Sequence, residues 1–133
     1  MKTRNVDRSF AGNYLIKARQ CKNAAIRALE TGDWDAAVIN SIHASISAAD
    51  AICVFKKGIR NAGETHTDSI ALLISIEPQN EDIKKAARHL SSLLSVKTSA
   101  EYGERLAVQK DAEAAVKHAE RLLSFAEETI SRT

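Results

Sequence analysis

Ala28-Leu29-Glu30-Thr31-Gly32-Asp33-Trp34-Asp35-Ala36-Ala37 is the stretch that decides the fold. Upstream of it, Phe10, Tyr14, Ala18, Cys21, Ala25 and Leu29 recur at three- and four-residue steps. That spacing gives one apolar stripe on a helix from about Asp7 to Glu30, with Asp7 or Ser9 suited to its N-cap. Gly32 suits the position just past the end of that helix, and Asp33 suits the N-cap of the next. Downstream, Trp34, Ala37/Val38, Ser41, Ser45, Ala48/Ala49, Ile52 and Phe55 make the inner face of a second helix, about Trp34 to Lys57. Two long helices joined by so short a turn are antiparallel neighbours. Much of the second stripe is small, which lets helix axes approach closely and predicts a central, tightly packed helix.

Lys56-Lys57-Gly58 ends that helix, and a loop follows from Ile59 to His66. A shorter helix is expected from Thr67 or Asp68 to Ile76, with Ile70, Leu73 and Leu72 or Ile74 inward. Glu77-Pro78 stops it, because the residue before proline disfavours the α region. Asn80-Glu81-Asp82 reads as a cap followed by acids at the positive end of a helix dipole. That helix carries Ile83, Ala86/Ala87, Leu90 and Leu93/Leu94 to about Ser95. After a hinge from Val96 to Gly103, a last helix is expected from about Glu104 to Ile130, with Leu106, Ala112, Ala115/Val116, Ala119, Leu122/Leu123, Ala126 and Ile130 inward. There is no strand-like alternation of any length and no internal repeat. The expected fold is all-α: one domain over residues 1–133, an antiparallel up-and-down four-helix bundle with one extra short helix.

Composition supports a core of ordinary size. The chain has 133 residues, 44% of them hydrophobic and 27% charged, which excludes a disordered tail and a membrane protein. No apolar run approaches the ~18 residues of a membrane span. The first residues, Met1-Lys-Thr-Arg-Asn-Val-Asp-Arg8, are charged and do not resemble a signal peptide. A cytoplasmic setting is therefore expected, with Cys21 and Cys53 reduced and packed as small hydrophobes.

The formal charge of +2 hides an asymmetry. Residues 1–30 carry Lys2, Arg4, Arg8, Lys17, Arg19, Lys22 and Arg27 against Asp7 and Glu30, a net +5. On a helical wheel Arg8, Arg19 and Lys22 share a sector, with Arg27 at its margin. Such a face attracts phosphate, since each phosphate neutralised releases counterions. It is equally the solvated outer face of a small bundle. If it binds nucleic acid, charge reversal at Arg8, Arg19 and Lys22 abolishes binding.

Most chemistries are absent from the sequence. The Glu-x-x-His pair of a di-iron bundle does not occur, and no two of His43, His66, His89 and His118 pair at helical spacing, so no metal or other cofactor is expected. There is no phosphate-binding glycine loop and no nucleophile elbow. Two constellations remain. Arg60-Asn61…His66 joins a phosphate clamp to a proton carrier, the minimum for metal-free cleavage of RNA by its own 2′-hydroxyl. The structural alternative is that Arg60 and His66 cap helix ends. Lys97 with Tyr102 offers a phosphate contact and a ring or hydroxyl for a base, or else a solvated lysine and a ring packed on the bundle end. Asp50, on the flank of the Ala-rich central helix, is expected to pair with a cation of a neighbouring helix, Arg19 or Lys17.

The order of these pieces resembles the HEPN domain (higher eukaryote and prokaryote nucleotide-binding). The resemblance runs from about Asn13 to Phe125 and rests on Tyr14-Leu15-Ile16-Lys17-Ala18-Arg19, Ala28 to Ala37, Ala48-Ala49-Asp50-Ala51-Ile52, Gly58-Ile59-Arg60…His66 and Lys97-Thr98-Ser99-Ala100-Glu101-Tyr102. It implies an up-and-down four-helix bundle, often a homodimer with its cleft between protomers. Catalytic members resembling it are metal-independent ribonucleases marked by Arg-x4–6-His near the start of the last core helix, many of them toxins paired with a nucleotidyltransferase antitoxin. Here that place reads Lys97-x4-Tyr102, and Tyr, with a pKa near ~10, is a poor base at neutral pH. Arg60-x5-His66 has the motif's spacing one helix earlier. The resemblance thus implies a module that binds RNA or nucleotide, or a partner protein, with weak or no catalysis. The candidate binding residues are Asn61, Lys97 and Tyr102, together with Arg8, Arg19 and Lys22 of the basic face. The alternatives are a toxin-type endoribonuclease acting through Arg60 and His66, and a helical scaffold or adaptor without a nucleic-acid role.

Overall fold

The computed structural model describes residues 2–97 and 106–131. Five α-helices occur among them: α1 Ala11–Thr31, α2 Trp34–Lys57, α3 Thr67–Ile76, α4 Glu81–Lys97 and α5 Gln109–Ser131. Four are long and α3 is short, so the bundle is the one the sequence predicts. α2 is its central member and packs against each of the other four. It is also the one described helix long and apolar enough to cross a membrane by length and composition, and most of it is buried inside the bundle.

The turn between α1 and α2 is as short as its sequence demands. Gly32 stands at φ 78°, in the left-handed region open to glycine, and closes α1 with its N–H on the Ala28 and Leu29 carbonyls. Asp33 fills the N-cap position through its carbonyl, which accepts from the Ala37 N–H. Its carboxylate does not cap α2: it accepts instead from the Thr31 hydroxyl at 2.9 Å. Asn80 does cap α4, its Oδ1 accepting from the N–H groups of Asp82 and Ile83.

Apolar packing runs the length of the bundle in two clusters. One joins Leu15, Ile52, Leu73, Ile83, Leu90 and Leu122 where α3 closes the end. The other, richer in alanine, joins Ala25, Ala37, Val38, Ile42, Leu93, Ala115 and Ala119. Deep in α2 the hydroxyls of Ser41 and Ser45 are buried with no hydrogen-bond partner among the described residues.

Several expectations are corrected. Phe10 does not face the core: it lies in a 3-10 turn, Arg8–Phe10, and is 51% exposed. That turn forms because Asp7 accepts from the Ser9 N–H, which displaces the start of α1 and turns its buried stripe to Ala11, Leu15, Ala18 and Ala25. α5 begins at Gln109 rather than about Glu104, because the Val108 carbonyl accepts the N–H groups of Asp111 and Ala112 and so sets the first turn. Leu106 precedes it and is 80% exposed, while Ala107 is buried.

Two strands also form where none is expected. β1 (Thr3–Asn5) pairs antiparallel with β2 (Ile59–Asn61) in the register Thr3↔Asn61, Arg4↔Arg60 and Asn5↔Ile59. Flanking bonds from the Val6 N–H to the Gly58 carbonyl and from the Ala62 N–H to the Lys2 carbonyl extend the ladder. Three-residue strands are too short to show a two-residue alternation. Gly58 permits the pairing: it ends α2 at φ 65°, and a Cβ there would lie 3.3 Å from the Val6 carbonyl oxygen.

Candidate functional site

The strand pair carries charge to one point of the bundle. Residues directly opposite on antiparallel strands share a face, so Arg4 and Arg60 are placed side by side. Like charges in that position repel. The Arg60 guanidinium turns toward α2, where its Nη2 lies 3.4 Å from Oδ2 of Asp50. It also sits over the Tyr14 ring of α1, with Cζ 5.4 Å from the ring centroid. Lys17, one turn further along α1, places its Nζ 5.7 Å from the same centroid. Both distances suit cation–π attraction.

Asp50 is 4% exposed and is the carboxylate around which these cations gather. Its expected partners were on α1, Arg19 or Lys17. The ion pair is instead with Arg60, which β2 folds back over α2. Arg19 pairs with Glu127 of α5 at 3.2 Å. Lys17 and Arg4 act on Asp50 through their charge, after Arg60. Burial outweighs all three and pushes the Asp50 carboxyl up to about 6. Burial, then the Asp50 charge, pushes the neighbouring Cys53 thiol up to about 12, which leaves that sulfur unreactive at neutral pH.

Beside this cluster opens a pocket of about 540 Å³, lined by Arg4, Asn5, Val6, Asp7, Phe10, Asn13, Tyr14 and Lys17. Two cations, two aromatic rings, two asparagines and the Asp7 carboxylate line it, and Arg60 lies over the Tyr14 ring. Arg4, Lys17 and Arg60 exceed Asp50 and Asp7 by one positive charge, so an anion entering here meets favourable potential. The groove between α4 and α5, about 470 Å³, is different: Lys85 and Arg121 line it with Asp82, Glu120 and Glu128, so its charges largely cancel.

The other sequence-predicted residues are dispersed. Asn61 is half-buried and faces the loop after β2. Its amide donates to the Thr65 carbonyl and the Ser69 hydroxyl and accepts from the Gly63 N–H. Neighbours on a strand point to opposite faces, so Arg60 reaches Asp50 while Asn61 secures the loop that carries His66. His66 is half-buried at the N-cap position of α3. Arg8 lies in the 3-10 turn close to Gly58, and Arg19 and Lys22 lie on α1, so the three do not share one helix. Lys97 ends α4, its side chain is not among those described, and Tyr102 lies outside the described residues.

Sequence reasoning missed Arg4 as a site residue. The available signal was its place in a basic amino-terminal segment. It also missed His89 and His118, which α4 and α5 bring together with Nδ1 2.9 Å from Nδ1.

Residues 11–129 match the family model described as HEPN domain. No curated protein matches the chain.

Proposed function

The chain belongs to the HEPN family, and from that premise we propose that it binds single-stranded RNA or nucleotides through their phosphates at the pocket beside Arg4, Lys17 and Arg60. One observation carries the reading: three cations converge around a single buried carboxylate and an aromatic ring, and two of them are held side by side by strand register. An anion supplies the charge that this arrangement lacks. Phe10, exposed at the same pocket, offers a ring face, and stacking on such a ring is tolerant of base identity. Binding without strong catalysis is part of the proposal, because Arg60 turns to Asp50 on one face of β2 while His66 stands at the N-cap position of α3, in the loop that Asn61 secures on the other.

The test is fluorescence anisotropy with a short mixed-sequence single-stranded RNA across a salt series. The wild type binds, and its affinity falls steeply with salt. Arg4→Glu and Lys17→Glu each weaken binding at least tenfold, and the log–log salt slope shrinks by about 0.7 for every phosphate no longer neutralised. Wild-type affinity left intact in both variants rejects the site. Incubation of the same RNA in EDTA tests the ribonuclease alternative. Cleavage abolished in both Arg60→Ala and His66→Ala would establish catalysis by those two residues and overturn the non-catalytic part of the proposal.

A further inference from the structure

Asp50 is an unusual residue to keep inside a bundle. It is 4% exposed, on the helix that forms the centre of the core. Its ion pair with Arg60 is long at 3.4 Å, where a charge-assisted hydrogen bond is typically ~2.7–2.9 Å. Arg60 is not fully satisfied either: its Nε is buried with no hydrogen-bond partner among the described residues. Each partner therefore holds the other loosely. A phosphate oxygen is a stronger and more exposed acceptor for the same guanidinium.

We propose that Asp50 is the resident counter-anion of this site: an entering phosphate takes the Arg60 guanidinium from the Asp50 carboxylate, and Asp50 takes up one proton from solvent as the ligand binds. The inference rests on the anion-binding reading above and adds its regulation. The charged and titratable groups that face Asp50 are Arg60 from β2, Arg4 from β1, Lys17 from α1 and Cys53 on α2 itself. A ligand phosphate draws on the first three. Its own negative charge then adds to the burial that already disfavours an ionised Asp50. Both changes favour the protonated acid. By linkage, a ligand that raises proton affinity binds more tightly where protons are more abundant. Acidification therefore strengthens binding, although the phosphodiester stays ionised throughout.

The test measures the affinity of the same mixed-sequence RNA from pH 5.5 to 8 at constant ionic strength, for wild type and Asp50→Asn. Wild-type affinity should fall by up to about tenfold per pH unit above the Asp50 midpoint, as one linked proton requires. Asp50→Asn should stay flat and bind at neutral pH as tightly as the wild type does in acid. The difference between the two proteins is the quantity read, because contributions common to both cancel in it. Carbon NMR of the Asp50 carboxyl in the wild type gives a second readout independent of the variant's folding: its midpoint should move up on adding RNA. RNA binding with equal pH slopes in both proteins, or an Asp50 midpoint that RNA leaves in place, overturns this inference alone. No RNA binding at any pH overturns the proposed function first and the inference with it.

Discussion

His89 of α4 and His118 of α5 meet Nδ1 to Nδ1 at 2.9 Å. Such a bond needs one ring to donate and the other to accept, so at least one imidazole is neutral. Burial holds both pKa values below the ordinary 6.5, and nearby positive charge lowers them further: His118, Arg121, Lys85 and Arg88 act on His89, and Arg121 and Lys117 on His118. The unfolded chain thus binds protons more readily than the folded one. The pair's contribution is complete above pH 6.5 and is lost as pH falls through the lowered values. Thermal unfolding followed from pH 7.5 to 5 should show a larger acid decline in the wild type than in a His89→Asn/His118→Asn double variant. Parallel declines would remove the pair from the account.

Asp50 works in the opposite direction. Its carboxyl is raised from 3.8 to about 6 in the fold. Between those values the folded state holds the proton more tightly, so stability falls as pH rises through the window, and the cost is complete above it. A shift of that size corresponds to about 3 kcal/mol. Asp50→Asn mimics the neutral acid. It should be more stable than wild type at pH 8 by up to about 3 kcal/mol and indistinguishable from it near pH 3.5. Chemical denaturation at the two pH values checks this, and a variant less stable at pH 8 would mean that the ion pair to Arg60 outweighs desolvation.

The bundle was legible because its signals are local. Gly32, Gly58 and Asn80 mark helix ends within a few residues of the apolar stripes they terminate, and α2 runs from Trp34 to Lys57 as its pattern predicts. The site was legible only in part because it is built from returns of the chain. Arg60 follows Asp50 by ten positions and reaches it because β2 doubles back, and Arg4 joins them only through strand register. Nothing in a three-residue strand announces that register. His89 and His118 lie on different helices 29 residues apart, so neither helix's own periodicity relates them. Phe10 misled for a different reason: its spacing continues the α1 stripe, but the Asp7 cap starts a 3-10 turn before the α-helix.

Asn61 has a structural task that can be separated from ligand binding. Three hydrogen bonds, to Gly63, Thr65 and Ser69, fix the loop between β2 and α3. Asn61→Ala removes all three and leaves the buried Ser69 hydroxyl, the Gly63 N–H and the exposed Thr65 carbonyl without that partner. It should cost about 1–3 kcal/mol, since partially solvated partners recover some of the loss. Hydrogen exchange should quicken at Gly63 and through the first turn of α3 while α1 and α5 stay protected. RNA affinity at saturating fold should change less than twofold, and a tenfold loss would assign Asn61 to the ligand.

Arg19 tests whether binding follows local geometry or total charge. It belongs to the basic amino-terminal segment, as Arg4 and Lys17 do, but Glu127 sits 3.2 Å from it on α5. Both side chains are largely exposed, at 46% and 40%, so the bridge adds less than about 1 kcal/mol to stability and weakens with salt. Its positive charge is already balanced by a neighbour. Arg4 has a second arginine opposite it instead and lines the pocket beside Tyr14. Arg19→Glu and Arg4→Glu change net charge equally, so a binder sensitive only to net charge would lose the same affinity in both. The pocket beside Tyr14 predicts a loss of at least tenfold for Arg4→Glu and under threefold for Arg19→Glu, measured on one RNA at one salt concentration. Equal losses would move recognition from that pocket to the outer face of α1, where Arg19 and Lys22 lie.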